Sequence, residues 1–291
     1  MASGLRTLTR WAGANAPDPV LDAARQGVEW WGTVSAPLRM LPSVIIIGAQ
    51  RSGTTTLYRM LSSHPAVLRP TASKGIGYFD VNYDRGMRWY QGHFPLARQR
   101  PAGAVTFESS GYYSYHPLAV RRLAADLPEV KLLMMLREPV DRAYSAHRHE
   151  FNRGFETESF ERALDLEPAR LAGEVERMLE EPGYQSYSHR HHSYLGRSRY
   201  IDQVLQIHRL VGPERLYLVD ANRFFAAPHE EFAAIQRWLG LPSWQPEKVG
   251  VWNAQPREPL DPALRRDLED YFDPFDRALE REAGIRLSWR S

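Results

Sequence analysis

From position 43 onward, apolar and polar positions fall into blocks whose period switches between that of a buried strand and that of an amphipathic helix. Residues 43–47 carry four consecutive Val/Ile side chains and end in a glycine turn, as expected of a strand covered on both faces. Residues 54–63 place Leu57, Met60 and Leu61 at helical spacing before His64-Pro65 stops the run. Further strands are predicted at 105–107, 131–136 and 215–219. Helices are predicted over 117–126, from Pro139 to roughly 151, and over 199–210, 230–239 and 262–283, with 159–180 largely helical. Apolar strands alternating with helices predict an α/β fold, a parallel sheet flanked by helices on both faces.

Residues 1–41 stand outside that alternation. Pro17 and Pro19 precede Val20-Leu21-Asp22-Ala23-Ala24, which reads as a short helix running towards Trp30 and Trp31. The segment is read as an N-terminal helical extension to one domain at 42–291. It either caps that domain or contacts a second subunit of a homo-oligomer. Its cations are too sparse for a membrane-surface helix.

Composition narrows the function classes. With 291 residues, 43% hydrophobic and 25% charged, the chain has the make-up of one globular domain with a real core. Its 37 basic and 35 acidic residues leave a net charge of +2, too balanced to argue for nucleic acid. There is no cysteine, so no disulfide or thiolate metal site is available. No apolar run approaches the roughly 20 residues of a membrane span. Arg6 and Arg10 are not followed by the apolar core of a signal peptide. The expectation is a cytoplasmic protein with no membrane span.

The first strand leads into Gly48-Ala49-Gln50-Arg51-Ser52-Gly53-Thr54-Thr55 and then a helix. A strand–glycine turn–helix presents backbone N–H groups and a helix N-terminus to an anion. The spacing is that of the nucleotide loop G-x-x-x-x-G-K-[ST], so the sheet is expected to be P-loop-like, but Thr54 stands where that loop has lysine. The cation has moved to Arg51. A purely structural turn would explain the glycines but not Arg51-Ser52 and three consecutive threonines.

A second element follows the strand at 131–136. Arg137 stands at its carboxyl end, where open α/β sheets place ligands, and Ser145 lies about two helical turns further on. An arginine fork and a hydroxyl together can hold a phosphate dianion.

Residues 46–58, Ile-Ile-Gly-Ala-Gln-Arg-Ser-Gly-Thr-Thr-Thr-Leu-Tyr, resemble the 5′-phosphosulfate loop of sulfotransferases that use 3′-phosphoadenosine 5′-phosphosulfate (PAPS). Arg137 and Ser145 match the 3′-phosphate motif R-x-P-x-x-R-x-x-S of the same family, of the bacterial and glycan type. The resemblance spans about residues 42–290. It implies that Gln50, Arg51, Ser52, Gly53, Thr54, Thr55, Arg137 and Ser145 bind PAPS, which is released as 3′-phosphoadenosine 5′-phosphate (PAP). Arg51 would contact the bridging oxygen as the phosphate leaves. Tyr200, opening its helix, matches a later core element; Trp252 takes the place of an aromatic beside the nucleotide, and Arg257 that of a covering loop.

The pattern breaks at the base. Glycan sulfotransferases place a glutamate in a segment like K-E-x-x-F-F, and here the stretch is Lys74-Gly75-Ile76-Gly77-Tyr78-Phe79. Three replacements offer themselves. His149 is one turn beyond Ser145 and matches a cleft histidine of the family; Glu108 follows a strand and would face the cleft; His116 is third. His149 is taken first and Glu108 second. The cluster His189-Arg190-His191-His192 reads as a polar loop rather than a metal site, and with Arg197 it suits an acidic acceptor; no metal is expected.

The expected activity is transfer of a sulfuryl group from PAPS to a hydroxyl of a carbohydrate, glycolipid or secondary metabolite. Two rivals remain: a PAPS- or PAP-binding protein impaired in catalysis, for which Gly75 argues, and a P-loop nucleotide-dependent kinase, against which the missing lysine argues.

Overall fold

A computed structural model describes residues 18–70, 75–101, 103–181, 183–246 and 259–290. Five strands form one parallel sheet: β1 (Val44–Gly48), β2 (Val67–Leu68), β3 (Val105–Ser109), β4 (Lys131–Leu136) and β5 (Leu216–Asp220), in the order β2-β3-β1-β4-β5. Strand boundaries fall within a residue or two of those predicted. The edge strand β2 was not foreseen, because two residues carry no period.

Alternation along the central strands separates two cores. Ile45 and Ile47 of β1, with Leu132, Met134 and Leu136 of β4, point to one face; Val44, Ile46, Leu133 and Met135 point to the other. The first face is covered by α5 (Ala119–Asp126), α10 (Tyr200–Val211) and part of α13 (Pro262–Ala283). The aromatic residues of α3 (Tyr78–Val81) and α4 (Met87–Gln91) join them there. The second face is covered by α2 (Thr54–Ser63), α11 (Ala221–Ala226) and α12 (Pro228–Leu239). Burial on both faces is why these strands read as continuous apolar runs.

A third cluster joins α6 (Pro139–Asn152), α7 (Phe160–Leu171) and α13, through Val140, Ala143, Phe160 and Phe272. The start of α6 is sharply defined. Glu138 accepts N–H bonds from Val140 (2.9 Å) and Asp141 (2.7 Å), and Pro139 occupies the first helical position. Two shorter helices follow α7: α8 (Glu174–Glu180) and α9 (Tyr187–His191).

The N-terminal segment is helical over α1 (Asp18–Val34), longer than predicted. It docks on α4, and the chain after it is tied down by Arg39, whose guanidinium donates to the Phe94 carbonyl at 2.7 Å. Trp30 and Trp31 are exposed. No helix among the described residues is long and apolar enough to cross a membrane.

The strand order places β1 between β3 and β4, where successive connections leave in opposite directions. Ligands of open α/β sheets bind at the carboxyl ends of the strands around such a switch point. The loop 49–53 and Arg137 both lie there.

Candidate active site

The loop after β1 is held by backbone bonds and by glycine. The Ala49 N–H donates to the Met135 carbonyl (2.9 Å), tying the loop to β4. Arg51 adopts a left-handed φ of 72°, which turns the chain back towards α2. Gly53 caps α2 at φ 93°, and a Cβ there would sit 2.7 Å from the Phe225 ring. The positive φ therefore favours glycine, and a Cβ would also displace the Phe225 ring. Ser52 is buried beneath the loop, with Thr54 and Thr55 in the first turn of α2, the end of a helix that favours an anion.

Arg51, Arg137, Ser145 and Tyr200 meet at this loop. The Arg51 Nε–H donates to Ser145 Oγ on α6 at 3.1 Å. Arg137 donates from Nη1 to the Arg51 carbonyl (3.1 Å) and from Nη2 to Asp141 Oδ2 (3.1 Å). Asp141 is shared with Arg265 of α13, whose Nη2 lies 2.7 Å from Oδ1. The buried Tyr200 hydroxyl donates to the Arg137 carbonyl (2.9 Å) and accepts from its N–H (3.3 Å), so it fixes the end of β4. Burial lowers the Arg51 pKa and the neighbouring Arg137 charge lowers it further, against a raising effect of Glu150. Two crowded cations at a helix N-terminus favour an anionic ligand.

Beside the loop opens a cleft of about 420 Å³, lined in part by Gln50, Gly75, Asp80, Glu150, His191 and Arg197. Gln50 does not stand free: its Nε2 donates to Glu150 Oε1 (3.1 Å) and its Oε1 accepts from Arg197 Nη1 (2.5 Å). Arg197 is buried over the rings of Tyr112 and Tyr115, 4.9 and 5.1 Å from their centroids. Asp80 accepts from the Val81 N–H (2.7 Å) and the Ser110 hydroxyl (3.1 Å). Burial raises its pKa, with those bonds and Arg190 opposing. For Glu150, burial pushes the pKa up, but the bond and charge of His191, with His149 and Gln50, hold it below the ordinary value.

The three candidate bases lie in different surroundings. His149 is partly buried on α6; burial and then the Arg51 charge lower its pKa, and it is not among the residues lining the cleft. Glu108, expected to face the cleft, is 0% exposed on β3, against the hydroxyls of Tyr113 and Tyr90. Burial drives its pKa to about 8, with Asp80 adding to the rise and the two tyrosines opposing it. Strand alternation turns it towards the core that holds Ile45. His116 is buried, its Nδ1 accepts the Leu118 N–H (3.1 Å), and desolvation followed by the Arg122 and Arg190 charges lowers its pKa to about 3.

The histidine cluster, expected on a polar loop, forms α9 and its cap. His189 is buried with its ring stacked on Tyr115 at 4.5 Å and its Nδ1 bonded to the Tyr112 hydroxyl at 2.7 Å. His191 Nδ1 lies 2.8 Å from Glu150 Oε2. Among the described residues no cluster of His, Asp or Glu is arranged to hold a metal ion. Trp252 and Arg257 lie outside the described residues. Glu150 was missed from the sequence, since its partners Gln50 and His191 are 100 and 41 positions away.

The sulfotransferase domain model matches residues 41–254, from just before β1 to beyond α12. The chain belongs to the sulfotransferase family. Its fold is similar to that of a sulfotransferase from Alicyclobacillus acidocaldarius, with a TM-score of 0.66 and 26% identity over 87% of this chain and 100% of that one. In sequence it is 27% identical over 217 residues to bifunctional heparan sulfate N-deacetylase/N-sulfotransferase 1 of Caenorhabditis elegans, 73% of this chain and 24% of the relative. It is 39% identical over 118 residues to the human bifunctional heparan sulfate N-deacetylase/N-sulfotransferase 2, 38% of this chain and 13% of the relative. The chain thus spans about a quarter or less of those relatives' lengths. The sulfotransferase match leaves out α13, whose Arg265 nevertheless braces Asp141 beside Arg137.

Proposed function

We propose that this sulfotransferase transfers the sulfuryl group of PAPS to a hydroxyl of a carbohydrate acceptor and releases PAP. The observation that carries the reading is the meeting of Arg51, Arg137 and Ser145 at the turn between β1 and α2. PAPS supplies a sulfuryl group already activated on its 5′-phosphate. Gly53, Thr54 and Thr55 hold that phosphate at the helix N-terminus, and Arg51 stabilises the charge that grows there as the bond to sulfur breaks. Arg137 and Ser145 hold the 3′-phosphate, and Tyr200 keeps the Arg137 backbone in place. Thr54 in place of lysine disfavours a triphosphate donor.

The carbohydrate class is supported by the cleft and by the relatives' names. Arg153, Arg190 and Arg197 line it together with Tyr112, giving hydrogen-bond donors and an aromatic wall for a polar, acidic sugar chain. Isothermal titration with PAP and with ATP tests the donor: tight PAP binding and weak ATP binding are expected, and the reverse order removes this reading in favour of a kinase.

A second reading, binding without turnover, is favoured by Gly75. A Cβ at that position would lie 2.9 Å from the Ser109 carbonyl oxygen, so the backbone leaves no room for the family's glutamate without moving. PAP binding without any transfer of labelled sulfate would establish it.

A further inference from the structure

Transfer to a hydroxyl needs a group that takes the acceptor's proton, and Gly75 supplies none. We propose that His191 is the general base of this reaction and that Glu150 is its positioning residue; the inference rests on the sulfotransferase reading.

Both residues line the cleft beside the loop. Glu150 is 2% exposed and held from two sides, Oε1 by Gln50 Nε2 at 3.1 Å and Oε2 by His191 Nδ1 at 2.8 Å. An ionised carboxylate only accepts hydrogen bonds, so Nδ1 carries the hydrogen and the lone pair of the neutral ring lies on Nε2. No other described residue hydrogen-bonds to that ring. Phe155 and Tyr187 flank it, with centroids 4.4 and 4.7 Å away, and fix its plane. A buried carboxylate behind an imidazole that lines a cleft, with its far nitrogen left unbonded by the described residues, is an arrangement that orients a base and stabilises the imidazolium it becomes.

The pair is also attached to the donor site. Gln50, which holds Glu150, immediately precedes Arg51 in the loop. The reaction then balances across the cleft. As the acceptor oxygen bonds to sulfur, its proton passes to His191 Nε2. The bond from sulfur to the 5′-phosphate oxygen breaks, and its electron pair leaves on PAP beside Arg51.

Of the other candidates His149 does not line the cleft, and the rest are committed elsewhere. Both carboxylate oxygens of Asp80 accept local bonds, His192 Nε2 is bonded to the Phe155 carbonyl (2.9 Å), and His189 and His116 are buried. The charged and titratable groups that surround His191 are Glu150 and His149 of α6, Arg153 just after it, Tyr187 and Arg190 of its own helix, Arg197, and Asp80 across the cleft.

The test measures transfer from ³⁵S-labelled PAPS to desulfated, N-acetylated heparan sulfate, whose acceptor groups are hydroxyls, from about pH 5 to 9, with PAP affinity titrated on the same samples. The full chain is compared with His191→Gln and Glu150→Gln. In His191→Gln, turnover is expected to fall ~10²–10⁴-fold and the acid-side limb of kcat/KM to disappear, with PAP affinity within about twofold of wild type. In Glu150→Gln, turnover falls at least about tenfold and the limb is displaced. His191→Gln turning over within about threefold of wild type, or retaining the limb, overturns the assignment. Should His191→Gln lose PAP affinity, Glu150→Gln decides, and an unchanged limb there overturns it. A wild-type chain that transfers no sulfate overturns the hydroxyl-sulfation reading itself, which separates that failure from failure of the base alone.

Discussion

Arg51 on the loop after β1 donates its Nε–H to Ser145 Oγ on α6 across 3.1 Å, joining two segments that are 94 positions apart. The bond fixes a partly buried guanidinium on the loop that opens α2, where the proposed leaving phosphate sits. Replacing Arg51 by alanine is expected to lower kcat by ~10²–10³, the cost of one preorganised donor to developing charge. PAP affinity should weaken only severalfold, and Arg51→Lys should recover part of the rate. Steady-state kinetics with PAP titrations on the same variants check this.

Arg137 is set differently. Its guanidinium reaches the Arg51 carbonyl and Asp141, and its backbone is clamped by Tyr200. Arg137→Ala should cost binding rather than turnover: about 1.5–3 kcal/mol of PAP affinity, as for a hydrogen bond to a charged group, with kcat at saturating PAPS nearly unchanged. Calorimetric titration measures the loss.

Restoring the family's glutamate at Gly75 should not restore a base. The Cβ it adds would lie 2.9 Å from the Ser109 carbonyl oxygen at the end of β3. Gly75→Glu is therefore expected to cost ~1–3 kcal/mol, seen as a Tm lowered by a few degrees, without a gain in rate. Thermal denaturation and turnover on the same preparation check both parts.

Glu108 carries a pH signature. Its pKa rises from 4.5 to about 8, burial being the main cause. Between those values the folded protein retains a proton that the unfolded chain has released, so the group's contribution is full at low pH and is lost as pH rises towards 8. Glu108→Gln keeps the neutral shape. It should match wild-type stability near about pH 4 and exceed it near about pH 9, with turnover retained. Urea unfolding at the two pH values measures the difference.

Local patterns carried the fold and half of the site. The strand at 131–136 and the helices at 54–63 and 262–283 were legible to the residue, because apolar period and the stops at Pro65 and Gly284 agree. The two phosphate elements were legible because each is contiguous. The cleft was not. Glu150 sits in an ordinary amphipathic helix, and nothing near it in sequence announces Gln50 or His191. His189 reads as a polar surface residue until Tyr112 and Tyr115 close over it. Glu108 was misplaced because the strand is predicted to stop at 107, whereas β3 runs to Ser109 and its alternation turns Glu108 into the core.

The most direct test of a PAPS-dependent sulfotransferase is to follow ³⁵S from PAPS onto two polysaccharides, desulfated N-acetylated heparan sulfate and N-deacetylated heparan sulfate, while measuring PAP release. The expected result is label on the hydroxyl-only polysaccharide in one-to-one ratio with PAP, at a rate cut ~10²–10³-fold by Arg51→Ala. No label on either polysaccharide, in a chain that binds PAP tightly, would contradict it.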